Sequence, residues 1–562
     1  MPSPLSPTAS APLTARLAAA AAALITALVL TACGGSGSTT NASATDDAAA
    51  KPTRGGTIEY AHQQEPPCIS GGWVEQAYIS RQVFDSLVSQ VGKGRIVPWI
   101  ATKWKVSKDQ LTWTFDLKPG VKFSDGDALD AEAVKANFDY WLDPKTINGT
   151  VAAYIGEYYD SSRAVDATTF QLKLKKPYSP LLSALSQGYF GLHSPSSLKQ
   201  PADVQCVKPV GSGPFVIEKW NRGQNVEFVR NPTYNSAPQN AKNQGPAYVD
   251  RLNWKFVKEP ATRWGSLTTG QNQVIYDIPS VDWQEAKAEY QVEKYTTPGR
   301  PQTLSLNVTK APFDDIRVRK ALAYALDRKA AVENAFGEAA DFNGNPALSK
   351  STPNYDASLE NAYTYDPDKA NALLDQAGWS TKNADGIRTK GGRPLKAVID
   401  YGAGSIINAD GATLLQTLQE QAKQVGFEIE LKPLTLTQLF GGQFSTPTSY
   451  DARPGYWTSP TAGVLYIVWR QNLKDRPNGN NTSFYNDPGL ERTIGEANST
   501  LDPQEQQALY SKAQKRISDQ AAAIGLYTRT SSLAIDRSKL RDVWLESSQG
   551  EPVFSDAWLV KP

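Results

Sequence analysis

Leu111–Gly126 reads LTWTFDLKPGVKFSDG and carries the clearest structural signal in the chain. Its first half alternates, which places Trp113, Phe115 and Leu117 on one face, as in a half-buried strand. The following Lys-Pro-Gly predicts a tight turn, and the closing Asp-Gly predicts another. Apolar residues spaced by three and four then predict a helix near 130–142. Strand, turn and helix in this order indicate a fold of the α/β or α+β class.

The rest of the chain alternates between strand and helix patterns. A first strand is predicted at 57–62. Asp366 followed by Pro367 predicts a capped helix start, and 413–425 carries a leucine pattern of helical period that stops at a glycine. An alternating strand is predicted directly afterwards, at 427–431. Helix, glycine and strand in succession are typical of α/β connectivity.

Length, charge and composition exclude several classes of protein. The chain has 562 residues, which predicts two or three compact units. Its formal net charge of +1 provides no field that would attract nucleic acid or an acidic membrane surface. Two histidines are too few for a site built from three of them, and phosphate-loop, zinc-protease and C-x-x-C motifs are absent from the sequence. We therefore expect a binding protein with no catalytic residues, no cofactor and no metal.

The N-terminal residues have the pattern of an export signal. Arg16 precedes an apolar run at 17–30, which is too short to span a bilayer comfortably. The run ends in Leu-Thr-Ala-Cys33, which resembles the lipobox of a bacterial lipoprotein signal. This predicts a signal peptide at 1–32 and a lipidated Cys33 with a flexible, polar tether at 33–54. The folded body is then lipid-anchored at the extracytoplasmic face of the cell membrane.

Two further cysteines, Cys68 and Cys206, are free to form a disulfide in an oxidising compartment. Two buried thiols are the alternative, because sequence alone does not give their separation. A hydrolase is the competing class of function, built on a dyad of His62 with Cys68 or on a carboxylate pair such as Asp314 and Asp315. A strand-end histidine, a structural cysteine and acidic residues at a helix start are the favoured interpretations.

Four groups of motifs, in this order, resemble family 5 of the extracytoplasmic solute-binding proteins. This family serves oligopeptide- and dipeptide-type ABC importers. The motifs span most of the mature chain, and their combination is more specific than any one of them. They are Leu111–Gly126 with 130–134, 210–215 with 230–234, 311–322 with 325–328, and 365–370 with 373–374 and 377–378.

The resemblance implies an α/β, two-lobed clamp of the periplasmic-binding-protein type (type II, cluster C-like). Lobe one is expected at 55–300 plus 527–562, with an extra subdomain at 87–204, and lobe two at 301–526. Such a protein captures peptides or peptide-like solutes by hinge closure and passes them, as a monomer, to the transmembrane subunits of an ABC permease, whose ATPase lies on the far side. An oligosaccharide or another non-peptide solute is the alternative ligand. Nickel-binding relatives exist, but two histidines argue against a direct metal cage.

The resemblance also indicates a ligand-binding strand. In oligopeptide-binding relatives a segment reads roughly R-x-G-W-x-x-D, and here Arg453, Gly455, Tyr456, Trp457 and Ser459 occupy its region. Arg453 is either an anchor for a carboxylate or a partner in an internal ion pair. The two aromatic residues either stack on the ligand or pack in the core. Ser459 stands where the relatives have Asp, and a hydroxyl cannot supply the charge that binds an amine.

Other residues are candidates to complete the ligand site. Asp451 is one replacement for the missing carboxylate. Gln64 and Glu65 follow the first strand, where relatives line the cleft, and Glu65 is a second replacement. Trp73 lies just beyond and is a further candidate.

Overall fold

Three β-sheets organise the protein in a computed structural model that describes residues 51–561, except 71–73, 93, 146–148, 405, 441 and 443–445. The predicted signal peptide, Cys33, most of the tether and Trp73 lie outside the described residues. Within the described part, no helix is both long and apolar enough to cross a bilayer.

The largest sheet has seven strands and forms the centre of lobe one. Its first strand, Thr57–His62, has the predicted bounds and runs parallel to strands on either side. One strand comes from near the C-terminus, so the chain returns to this lobe after leaving it. In spatial order the strands are Gln291–Thr296, Thr530–Ile535, Val274–Tyr276, Thr57–His62, Arg251–Phe256, Asn225–Arg230 and Phe215–Asn221.

A second sheet, of six strands, forms the centre of lobe two. The strand that carries the predicted ligand residues, Ala452–Thr458, lies inside this sheet. It is antiparallel to one neighbour and parallel to the other. In spatial order the strands are Asp341–Phe342, Ala523–Thr528, Gly299–Leu306, Ala452–Thr458, Lys396–Gly402 and Glu428–Leu434.

The third sheet has four strands and forms the subdomain. It contains the predicted strand Thr112–Leu117, followed by turns in which Gly120 and Gly126 have φ of 74° and 97°. The helix Ala131–Leu142 follows, and its start is capped by Asp130, whose carboxylate accepts a hydrogen bond from the Ala133 amide at 2.9 Å. In spatial order the strands are Ala101–Val106, Thr112–Leu117, Thr169–Leu174 and Tyr159–Asp166.

Short strands and helices connect and cover these sheets. The other paired strands are Val88–Val91 with Arg95–Pro98, Thr381–Lys382 with Arg388–Lys390 and Arg393–Pro394, Leu540–Arg541 with Trp558–Leu559, and Trp544–Leu545 with Pro552–Val553. The α-helices are Val74–Ser80, Ala131–Leu142, Gly149–Ile155, Leu181–Leu185, Pro195–Leu198, Ala202–Val207, Pro260–Thr268, Trp283–Glu289, Ile316–Ala325, Arg328–Phe336, Pro367–Gln376, Ala409–Gln424, Leu436–Phe440, Val464–Trp469, Pro488–Ser499 and Pro503–Asp519. The 3₁₀ helices are Gly188–Phe190, Ser280–Asp282 and Ala357–Leu359.

One helix begins earlier than the leucine pattern predicts. Helix Ala409–Gln424 starts four residues before the predicted 413, and strand Glu428–Leu434 extends beyond the predicted 431. The early start follows from Asn408, whose side-chain oxygen accepts a hydrogen bond from the Gly411 amide at 3.0 Å. The first turn therefore carries polar residues, including Asp410, that a search for apolar periodicity does not detect.

The chain passes between the two large sheets twice. Thr297 and Pro298 join strand Gln291–Thr296 to strand Gly299–Leu306, and Arg529 joins the second sheet back to the first. The two crossings contact each other, because the Thr297 amide donates to the Arg529 carbonyl at 2.9 Å. This double connection is the hinge of a two-lobed clamp. The lobe and subdomain boundaries given above stay predictions.

The subdomain and lobe two share one hydrophobic core. Phe115, Phe138 and Leu181 of the subdomain belong to the same buried cluster as Val464 and Ile494 of lobe two. Polar contacts follow the same seam. The Ser179 amide donates to the Asn498 carbonyl at 2.9 Å, and the Asn498 amide group donates to the Tyr158 hydroxyl at 2.9 Å.

Candidate functional site

Arg453 is engaged in a buried ion pair within lobe two. Its Nε lies 2.8 Å from Asp400 Oδ1 and its Nη2 lies 2.6 Å from Asp400 Oδ2, in a bidentate arrangement. The guanidinium also stacks over the Tyr450 ring, 3.9 Å from its centroid. Asp400 is 1% exposed. Arg453 thus forms an internal ion pair, and its role as an anchor for the ligand stays a prediction.

Gly455 and Tyr456 lie farther along the same strand. The Gly455 carbonyl accepts a hydrogen bond from Thr303 Oγ1 at 3.3 Å, which is part of the pairing with the neighbouring strand. Tyr456 is half-buried against the core of lobe one, and the Arg529 guanidinium lies 4.0 Å from its ring centroid. Tyr456 thus lies at the junction of the lobes, beside the hinge.

Trp457 and Ser459 complete the predicted strand. Trp457 Nε1 donates to the Tyr154 hydroxyl at 3.1 Å, and that hydroxyl donates to the Thr458 carbonyl at 3.0 Å. Burial raises the pKa of Tyr154 to about 12, so the phenol stays protonated and able to donate. Ser459 is fully buried, and its amide donates to the Pro298 carbonyl in the hinge at 3.0 Å. Ser459 therefore has a structural contact at the hinge.

Asp451, one proposed substitute for the missing carboxylate, has partners in lobe two. Its Oδ2 accepts a hydrogen bond from the Val398 amide at 2.7 Å, and its Oδ1 lies 2.7 Å from Lys310 Nζ.

Glu65, the other substitute, has partners in lobe one. It accepts hydrogen bonds from Trp220 Nε1 at 2.8 Å and from the Gly223 amide at 3.0 Å. Gln64 is half-buried, while its neighbour Gln63 lines a cavity described below.

The sulfurs of Cys68 and Cys206 are bonded to each other, and their Cα atoms are 4.7 Å apart. His62 is buried, and its Nδ1 shares a hydrogen bond with the Tyr60 hydroxyl at 2.8 Å. Burial, reinforced by the charge of Arg263, lowers the pKa of His62 to about 3, so the imidazole is neutral. A cysteine in a disulfide offers no thiolate, so these contacts do not provide a nucleophile and base.

A small cavity lies between the lobes and encloses about 40 Å³. Polar side chains from both lobes line it, and three of them, Gln63, Asp277 and Arg529, directly follow strands of the two large sheets. In doubly wound α/β proteins, ligands bind beyond the carboxyl ends of strands, and these positions follow that rule. Its polar lining residues include Gln63, Asp277, Asn408, Asp410, Tyr527 and Arg529.

Two carboxylates face this cavity from opposite lobes. Asp277 follows strand Val274–Tyr276 in lobe one, and Asp410 lies in the first turn of helix Ala409–Gln424 in lobe two. Burial raises the pKa of Asp277, and burial together with the charge of Asp277 raises the pKa of Asp410. Arg263 pairs with Asp277 from behind, with Nη2 3.3 Å from Oδ2.

Sequence reasoning singled out Gln64, whose neighbour Gln63 lines the cavity, and did not identify the polar residues of the lining. Asp277, Asp410 and Arg529 belong to no motif. Asp277 and Arg529 lie just beyond a strand and Asp410 lies in the first turn of a helix, and these positions become informative only when the sheets are known. Among the described residues, no group of three or more His, Cys, Asp or Glu side chains is placed to hold a metal ion.

Comparisons with known proteins agree with this architecture. Residues 95–488 match the model of bacterial extracellular solute-binding proteins, family 5 Middle. The nickel-binding periplasmic protein of Escherichia coli strain K12 is 27% identical over 504 residues, which cover 87% of this chain and 91% of the relative. The glutathione-binding protein GsiB of Pectobacterium atrosepticum is 28% identical over 453 residues, covering 77% and 80%.

The same fold is found among solved structures. The oligopeptide-binding protein AppA of Bacillus subtilis, in complex with a nonapeptide, superposes with a TM-score of 0.78 at 22% identity, covering 91% of this chain and all of that one. The family match covers more than half of the chain, and the two lobes and the double crossing are those expected of the family. This chain therefore belongs to family 5 of the bacterial extracellular solute-binding proteins.

Proposed function

We propose that this substrate-binding protein of an ABC importer captures peptides or peptide-like solutes between its lobes and delivers them unaltered to the permease. Proteins of family 5 are extracytoplasmic transport proteins and not enzymes. The single observation that carries the proposal is the interlobe cavity, to which Asp277 and Asp410 contribute from opposite lobes beside the hinge. A solute at this place contacts both lobes only when they are closed.

The mechanism follows from hinge closure. A ligand shifts the balance between open and closed forms only by its preference for one of them. Binding groups on both lobes supply that preference, because a ligand contacts the groups of only one lobe when the clamp is open. The crossings at Thr297 and Arg529 are the expected pivot, since a hydrogen bond joins them where the chain passes between the lobes. A micromolar ligand corresponds to about −8 kcal/mol of binding free energy.

The relatives favour a peptide but leave alternatives. One neighbour in fold carries a nonapeptide and one relative is named for glutathione. Another relative is named for nickel, so a metal complex is a second ligand class to test, as is an oligosaccharide. The aromatic faces of Tyr456 and Trp457 are compatible with stacking on peptides or on sugars.

We also propose that Cys33 is lipidated and that the residues up to 54 tether a monomeric body to the membrane. As a flexible chain of about 20 residues, the tether places the body roughly 25 Å from the surface on average. Cell fractionation tests this. Cys33→Ala is expected to release the protein from the membrane fraction, whereas Cys68→Ala is expected to leave it there. Release of both variants, or of neither, contradicts the anchor.

The ligand is tested on purified protein. Mass spectrometry after denaturation identifies co-purified solutes, and calorimetry then compares a tetrapeptide library, maltooligosaccharides, and nickel chloride with and without L-histidine. We expect saturable binding in the peptide set and recovery of intact peptide. Binding confined to the sugars or to nickel overturns the peptide assignment. Turnover of peptide at catalytic protein concentrations overturns the transport assignment.

A further inference from the structure

The residues expected to bind an amine either carry no charge or have partners within the protein, and the cavity between the lobes supplies other carboxylates. Ser459 provides no charge, Asp451 pairs with Lys310, and Glu65 is held by Trp220 and Gly223. Asp277 and Asp410, by contrast, both line the cavity between the lobes. Two carboxylates that a trapped ligand can contact therefore lie on the cavity wall.

The charges around the cavity favour a cation at Asp410. Asp277 is paired with Arg263 behind it, and its pKa, raised by burial, is also lowered by the charge of Arg529, the cation of the lining, which lies over the Tyr456 ring. Ser280, across the lobe boundary, lowers the pKa of Asp410, and Ser280 is a neutral residue. No ion pair to Asp410 is found within the described part of the chain. Its carboxylate is therefore partly buried without an ion-pair partner among the described residues, which is unfavourable until a cation arrives.

The position of the two carboxylates couples such a cation to closure. Asp277 and Asp410 belong to different lobes, so closure brings like charges together and opening separates them. Burial first, and then the charge of Asp277, raises the pKa of Asp410, as expected for neighbouring like charges. A cation between them offsets the repulsion only in the closed form, so it shifts the equilibrium toward that form. The volume of about 40 Å³ admits a group as small as an ammonium.

We infer that the solute carries an ammonium group, and that Asp410 of lobe two binds it, together with Asp277 of lobe one, when the clamp closes. This inference rests on the proposed function and narrows it to amine-bearing ligands. It moves amine recognition from position 459, where the relatives' motif has Asp, to the start of helix Ala409–Gln424.

The chain offers a matched control for Asp410. Asp410 and Asp368 are each the second residue of an α-helix, Ala409–Gln424 and Pro367–Gln376 respectively. Asp368 is exposed and does not line the cavity. Asp410→Asn and Asp368→Asn therefore remove the same charge from the same helical position, and only the first change alters the cavity. Asp410→Glu keeps the charge, and thermal unfolding of each variant checks that it folds.

The probes are tetrapeptides in four sets, with an amine at the N-terminus, at a lysine side chain, at both, or at neither after N-acetylation. Calorimetry on the purified protein measures each affinity. We expect the amine-free set to bind at least tenfold more weakly than the best amine-bearing set. We expect Asp410→Asn to weaken the amine-bearing sets at least tenfold, and Asp410→Glu and Asp368→Asn to leave the preference for amines in place.

The results separate this inference from the proposed function. If peptides bind and Asp410→Asn changes the amine-bearing affinities by less than twofold, the inference is wrong and the peptide-binding function stands. The same holds if the amine-free set binds as tightly as the others. If no set binds to the folded wild-type protein, the peptide-binding function and the inference are both overturned.

Discussion

Trp457 Nε1 donates a hydrogen bond to the Tyr154 hydroxyl at 3.1 Å, although 303 residues separate them in sequence. The same hydroxyl donates a hydrogen bond to the Thr458 carbonyl. Tyr154 belongs to the subdomain and Trp457 to lobe two, so this chain of hydrogen bonds crosses the boundary between the two bodies. The strand predicted to bind ligand is thus also the strand that the subdomain contacts through Tyr154.

Tyr154→Phe is expected to weaken this connection. The substitution leaves the Trp457 N–H and the Thr458 carbonyl without their partner, which costs about 1–3 kcal/mol when the groups are buried. Urea denaturation measures the loss, and Tyr365→Phe, at a tyrosine that is 45% exposed, is the control. An equal effect of the two substitutions would contradict the role of the buried hydroxyl.

The Arg453–Asp400 pair predicts a non-additive response to substitution. Arg453→Met leaves a buried carboxylate without its cation, and we expect a loss of about 3–5 kcal/mol in the free energy of unfolding. Adding Asp400→Asn to the same chain is expected to recover part of that loss, because the uncompensated charge is gone. Denaturant titration of the wild type, both single variants and the double variant gives a double-mutant cycle, which measures the interaction free energy of the pair. Simply additive losses would show that the two side chains do not interact.

The pairing of Cys68 with Cys206 predicts a large contribution to stability. The two residues are 138 positions apart, and for a loop of this order the chain-entropy model gives roughly 4–5 kcal/mol. The free energy of unfolding of the double variant Cys68→Ser with Cys206→Ser, measured by urea denaturation, is expected to be lower by up to that amount. Alkylation before and after reduction, read by mass spectrometry, counts the free thiols. Modification of Cys68 without reduction would exclude the bond.

His193 predicts a pH dependence of stability. Burial lowers its pKa from 6.5 to about 3, so the unfolded chain binds a proton in this interval that the folded chain does not. The contribution of the neutral His193 to the free energy of unfolding is therefore fully present above pH 6.5, and it is lost as the pH falls toward 3. His193→Phe keeps a ring against Phe84, on which His193 stacks with centroids 4.0 Å apart, and removes the titration. As the pH falls from 7 to 4, we expect the free energy of unfolding of the variant to rise relative to that of the wild type. The expected rise is a few kcal/mol, on the order of the free energy that corresponds to this pKa difference. Urea midpoints at several pH values measure this, and a constant difference would refute it.

The sequence was informative where structure depends on neighbours in the chain. Strands Thr57–His62 and Thr112–Leu117 have the predicted positions because alternation and flanking turns are local signals. Asp366 caps its helix as predicted, since its carboxylate accepts a hydrogen bond from the amide three residues later. Helix Ala409–Gln424 began too late in the prediction because its first turn is polar and is defined by Asn408 and by the cavity beside it.

The motifs by themselves determined the family and its two-lobed fold, because turns, caps and alternating strands are written in consecutive residues. Only the tertiary structure decided which charged groups meet. Arg453 stands in a motif position but its guanidinium is paired with Asp400, and Asp410 stands in no motif but faces Asp277 across the cavity. The reason is physical: an ion pair or a ligand site depends on distance in space and on burial, and those are set by how the lobes close around the hinge.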